Sequence, residues 1–141
     1  AGGLQPTLQV LIYPATDLLA ADTQSRKDLA SGVTLDSRLI EYFNECYFGD
    51  EPVDPMDSRL APARHAISNK TPPAHIITAQ YDPLRDEGED YHNKLLEAGV
   101  QSTYHCYPGL MHNFVLQTGV VAAADQAVKD IAAILRDKLK S

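Results

Sequence analysis

Ala74-His75-Ile76-Ile77-Thr78-Ala79-Gln80-Tyr81-Asp82-Pro83-Leu84-Arg85-Asp86-Glu87-Gly88 is the stretch on which the fold turns. Its first six residues form a short apolar run, partly β-branched, of the kind buried on both faces of a parallel sheet. The loop Gln80 to Pro83 follows at once. Leu84, Gly88, Tyr91, Leu95 and Ala98 then recur at helical spacing, and the helix ends at Gly99, a residue suited to a left-handed cap. A buried strand feeding straight into an amphipathic helix is half of a parallel α/β unit.

The flanking sequence repeats the pattern. Thr7 to Tyr13 reads as a first strand stopped by Pro14, and Val100 to Tyr107 as a third strand closed by Pro108-Gly109. Asp17 to Val33 is polar and has no period. Leu39, Ile40, Phe43, Cys46 and Tyr47 lie at helical spacing behind the capping candidates Thr34 and Asp36, which predicts a helix ending at Gly49. Asp50 to Pro73 holds Pro52, Pro55, Pro62, Pro72 and Pro73 and reads as a surface excursion with one short helical turn. After a loop from Leu110 to Thr118, Val120, Ala124, Ala127, Val128, Ile131, Ile134, Leu135 and Leu139 trace a last helix. Alternating strands and helices argue for parallel strands joined by right-handed crossovers.

Composition narrows the function. The 141 residues are 44% hydrophobic and 22% charged, as in a globular chain able to bury a core. Twelve Lys and Arg against nineteen Asp and Glu leave a net charge of −7, which argues against nucleic acid as a partner. Cys46 and Cys106 stand far apart and read as buried free thiols. No apolar run approaches the roughly 20 residues of a transmembrane segment. No H-x-x-x-H or H-E-x-x-H occurs, Gly2-Gly3 lacks the context of a phosphate loop, and neither a metal site nor a cofactor is expected. Localisation is left open, with the cytoplasm favoured.

Ligands of open parallel sheets bind beyond the carboxyl ends of the strands. Asp82 follows the second strand and His112 the third, so the two can converge. An aspartate accepting from one imidazole nitrogen fixes the tautomer and leaves the other nitrogen free to take a proton. Taken alone, Asp82 before Pro83 reads sooner as turn chemistry or a helix N-cap and His112 as a surface loop histidine, but jointly, after consecutive strands on the same edge, the functional reading overtakes the structural one. Asp86 and Glu87, in the first helical turn, suit the helix dipole. His75, His105 and His92 read as satisfied or solvated, and His65 sits in the Pro-rich excursion.

Three strings carry a resemblance: Leu11-Ile12-Tyr13-Pro14, Tyr81-Asp82-Pro83-Leu84-Arg85-Asp86-Glu87-Gly88, and Tyr107-Pro108-Gly109-Leu110-Met111-His112-Asn113-Phe114. Together they resemble the C-terminal portion of the α/β-hydrolases related to hormone-sensitive lipase, the bacterial carboxylesterase branch. The resemblance implies a three-layer α/β-hydrolase fold, of which residues 1–141 are the C-terminal part with about three parallel strands. It implies hydrolysis of a small-molecule carboxylic ester, with Asp82 as triad acid and His112 as triad base. Leu110, Met111 and Phe114 become candidates for the substrate pocket wall, and the segment from Asp17 to Val33 a candidate for its mouth. The family's serine lies in a G-x-S-x-G elbow. None of Ser25, Ser31, Ser37, Ser58, Ser68, Ser102 and Ser141 has that setting, so the nucleophile is expected upstream, in an N-terminal part that is absent here or a separate chain. By itself this polypeptide should be nearly inert. Its unpaired sheet edge calls for that missing part or for a homo-oligomer to cover it. The alternatives are a non-catalytic receptor-type module and a pseudo-enzyme on the same fold.

Overall fold

A computed structural model describes residues 6–19, 22–49, 53–54 and 56–139. Gly2-Gly3, Asp50, Pro52, Pro55, Ser141 and the side chain of Leu139 lie outside the described residues.

Three strands, β1 (Gln9–Ile12), β2 (Ala74–Tyr81) and β3 (Ser102–Met111), form a parallel sheet in the order β1-β2-β3. β2 is central, which is why its apolar run is continuous: Ile76, Ile77, Thr78 and Ala79 are fully buried. Alternate side chains serve opposite faces. On one face Ile77, Ala79 and Tyr107 pack with Phe114, Ala124, Ala127 and Ile131, the last three from α4 (Ala122–Leu139). On the other, Ala74 and Ile76 pack with Tyr91 and Leu95 of α3 (Arg85–Glu97). Gly99, with φ of 74°, ends α3 as expected.

The 61-residue connection between β1 and β2 (residues 13–73) is richer than its polar sequence suggests. A short helix, α1 (Gln24–Asp28), interrupts the stretch read as aperiodic. Five residues are too few for an apolar period to declare itself. α2 (Ser37–Phe48) starts at Asp36, whose side chain accepts from Leu39 N, and ends at Gly49. Thr34 is not its cap. Tyr42, Phe43 and Tyr47 are more than half exposed on α2, and Cys46 is exposed as well, contrary to the buried thiol expected there. The Pro-rich excursion does contain one helical turn, Pro62–Arg64.

The third strand departs most from its sequence reading. It does not close at Pro108-Gly109 but runs through them to Met111. Pairing steps from Ala79↔Tyr107 to Tyr81↔Met111, so β3 carries two more residues than β2 across this irregularity. Gly109, at φ 73°, supplies the left-handed backbone, and its N–H donates to Gln80 Oε1 at 2.8 Å. At the far end, Val120 lies outside α4 and is exposed.

α3 approaches the sheet closely because residue 88 has no side chain. A Cβ there would stand 2.8 Å from Thr78 Cγ2. Gly88→Ala is therefore expected to cost about 1–3 kcal/mol by overpacking. Adding Thr78→Ser, which removes that methyl and keeps the hydroxyl facing Tyr104, should restore most of the loss in urea unfolding.

Candidate active site

Because Tyr81 pairs with Met111, the next residues on the two chains, Asp82 and His112, emerge side by side beyond the sheet. Had the earlier register continued, Leu110 would stand opposite Asp82. Asp82 is fully buried and uses both oxygens. Oδ1 accepts from Leu84 N at 2.9 Å, making the turn that the Asp-Pro sequence suggests. Oδ2 lies 2.8 Å from His112 Nδ1, with the histidine side chain 14% exposed. With Nδ1–H donating to the carboxylate, Nε2 is the lone-pair nitrogen, able to accept a proton and pass it on.

His112 is held by three further features. The Tyr13 ring lies against it with centroids 4.7 Å apart, and Thr34 Oγ1 donates to its carbonyl at 3.0 Å. Asn113, in the left-handed region at φ 64°, turns the chain away into a short helical turn, Phe114–Gln117. Tyr13 also has a positive φ, 42°, an uncommon backbone for a bulky residue and one found at functional sites. Burial, and then the Asp82 charge, raise its hydroxyl pKa. The sequence places Tyr13 at the end of the first strand but gives no signal that its ring braces the imidazole.

A cavity of about 350 Å³ opens on His112. Tyr13, Leu18, Leu35, Ile40, Phe43 and Leu84 supply its largely apolar wall, with Arg26 and Asn44 at its border. The segment from Asp17 to Val33 thus reaches the cavity through Leu18 and Arg26. Leu110, Met111 and Phe114 do not line it. Leu110 and Phe114 point into the core beside α4, because the β3 irregularity turns that part of the chain over the sheet. The wall residues from α2 carry no sequence signal beyond helical apolar spacing, which by itself marks core.

Asp86 and Glu87 do more than complement a helix dipole. Glu87 is 2% exposed; Oε1 accepts from Thr16 N and Asp17 N, and Oε2 from Nε and Nη2 of Arg26, the shortest at 2.7 Å. Arg64 pairs with Asp17 at 2.6 Å alongside. Burial nevertheless pushes the Glu87 carboxyl up, outweighing the cation and the N–H donors. Of the remaining histidines, His92 Nδ1 meets Ser102 Oγ and His75 meets Thr103, both away from the cavity. Among the described residues no group of three or more His, Cys, Asp or Glu is arranged to hold a metal ion, and no helix is long and apolar enough to cross a membrane.

Comparison with known proteins places the fold. The family described as having the α/β-hydrolase fold matches residues 1–116. The chain belongs to that family. It is 37% identical over 138 residues to the carboxylic ester hydrolase LipN of Mycobacterium tuberculosis, covering 95% of this chain and 36% of that protein. It is 31% identical over 134 residues to the ethyl acetate hydrolase of Pseudomonas putida, covering 95% of this chain and 42% of that one. Among solved structures, an α/β-hydrolase enzyme from the metagenome of Lake Arreo, Spain, superposes with a TM-score of 0.90 at 38% identity, over 96% of this chain and 42% of the other. The Pyrobaculum calidifontis esterase gives 0.87 at 35%, over 96% and 44%. The chain therefore spans about two fifths of the length of these relatives. Its three parallel strands and helices match the C-terminal part of the fold in an esterase- and lipase-like family.

The Arg26–Glu87 pair makes a stability test. Arg26→Met leaves a buried carboxylate without its cation, at an expected cost of about 3–5 kcal/mol. A carboxyl whose folded pKa lies above its unfolded one binds more protons when folded, so stability falls as pH rises through that window. The variant should show this slope more steeply than the parent in urea titrations run at successive pH values, and Glu87→Gln should flatten it.

Proposed function

We propose that this chain supplies the acid, Asp82, and the base, His112, of a Ser-Asp-His triad that hydrolyses carboxylic esters, with the serine outside these 141 residues. The observation that carries the reading is the 2.8 Å contact between a fully buried carboxylate and His112 Nδ1, beside an apolar cavity. That the matched relatives bear the names of ester hydrolases supports it.

The chemistry follows from the pair. Nε2 of His112 removes the serine proton as the hydroxyl attacks the ester carbonyl, and Asp82 stabilises the imidazolium that forms. Backbone N–H groups of the missing part would stabilise the tetrahedral oxyanion. The imidazolium then protonates the departing alcohol. Water, deprotonated by the same nitrogen, attacks the acyl carbonyl, and the imidazolium returns that proton to the serine oxygen as the carboxylic acid leaves. The apolar walls of the cavity, Leu18, Leu35, Ile40 and Phe43, suit the hydrocarbon portion of a small ester.

No described serine takes the nucleophile's place. Ser25, the one with a fully buried side chain, commits its hydroxyl to Pro83 O and Asp86 N. Loss of a triad nucleophile costs on the order of 10⁶ in turnover in subtilisin, so the 141-residue polypeptide alone should be nearly inactive.

In the complete enzyme, His112→Ala should abolish turnover of a p-nitrophenyl ester without loss of fold. Asp82→Asn should lower kcat by roughly 10⁴, as in the chymotrypsin-type case. Wild-type turnover in the histidine variant would sink the base assignment, and a change confined to KM in the aspartate variant would demote Asp82 to substrate positioning. Labelling with a fluorophosphonate, followed by intact-mass analysis, should place the adduct outside these 141 residues.

A further inference from the structure

Ser25 is buried with no exposed surface, yet the proposed chemistry does not use it. One hydrogen bond joins it to the turn that carries Asp82 and two join it to Asp86 in the first turn of α3. Its Oγ donates to Pro83 O at 2.7 Å and accepts from Asp86 N at 3.3 Å, while its own N–H donates to Asp86 Oδ2 at 2.6 Å. The turn's internal bonds are few: Leu84 N to Asp82 Oδ1 and Arg85 N to Asp82 O. α3 begins at Leu84 with no side-chain cap, so the N-terminal turn of that helix does not secure itself.

We infer that Ser25 is a positioning residue for Asp82, a clamp from α1 that fixes the Asp82-Pro83-Leu84 turn and so the aim of the carboxylate at His112. This rests on the triad reading of Asp82 and His112. A carboxylate held through a backbone turn is only as well aimed as the turn. Thr16 N, Asp17 N and Arg26, from the same connection, make a second attachment to α3 through Glu87. Leu18 and Arg26, next in sequence to Asp17 and Ser25, line the cavity.

The test uses the complete enzyme. Its first readout is the downfield proton resonance of His112 Nδ1–H, assigned by its absence in Asp82→Asn, which reports the aim of the acid with no need for turnover. Its second is kcat against KM for a p-nitrophenyl ester. Ser25→Ala should broaden or remove the resonance and lower kcat about 10- to 100-fold, with KM little changed, as expected when a catalytic group is misplaced by about an ångström. Asp86→Ala, which removes a different bond of the same clamp, should act in the same direction, and Asp86→Asn, which keeps an acceptor, should recover much of the loss. If Ser25→Ala does not fold, the Asp86 pair carries the test. Folded variants with an unaltered resonance and unaltered kcat would overturn the clamp. Wild-type turnover in His112→Ala would instead overturn the triad reading, while the resonance would still report on Ser25.

Discussion

The structure depends on finding partners for one buried carboxylate. Asp82 has no exposed surface, and an unpaired charge in such a place costs several kcal/mol. Leu84 N and His112 Nδ1 supply the partners, one local in sequence and one thirty residues away. The local bond bends the chain out of β2 toward α3. The distant one needs β3 to deliver His112 level with Asp82, which is what the two extra residues around Gly109 achieve. A feature that looks like the end of a strand thus sets the register of the site.

A second polar layer lies behind the first. Glu87 and Asp86, one helical turn beyond Asp82, receive the N–H groups of Thr16, Asp17 and Ser25 and the guanidinium of Arg26. These bonds tie Thr16, Asp17, Ser25 and Arg26 of the long connection between β1 and β2 to the start of α3. An excursion with little apolar period of its own is ordered by buried charge, and its Leu18 and Arg26 reach the cavity as a result. The Cβ-free approach at Gly88 keeps α3 near enough to the sheet for this to occur.

Membership of the α/β-hydrolase fold family accounts for what the chain leaves open. Its three-stranded sheet matches only part of the fold, and the relatives it matches are more than twice its length. On α2, Tyr42, Phe43 and Tyr47 stand more than half exposed.

The sequence by itself determined the parallel α/β order, the buried run of β2, a cap for α2 at Thr34 or Asp36, the stop at Gly99 and the candidacy of Asp82 and His112. Each of these rests on local chemistry: apolar period, capping side chains, and turn residues at strand ends. Only the tertiary structure decided that β3 continues past Pro108-Gly109, since strand pairing is a relation between two segments. The same holds for Leu110 and Phe114, whose apolar character suits a pocket and a core equally, and which the irregularity in β3 turns into the core. Glu87, Arg26, Ser25 and Tyr13 gain their roles from partners dozens of residues away, and a linear pattern carries no term for such distances.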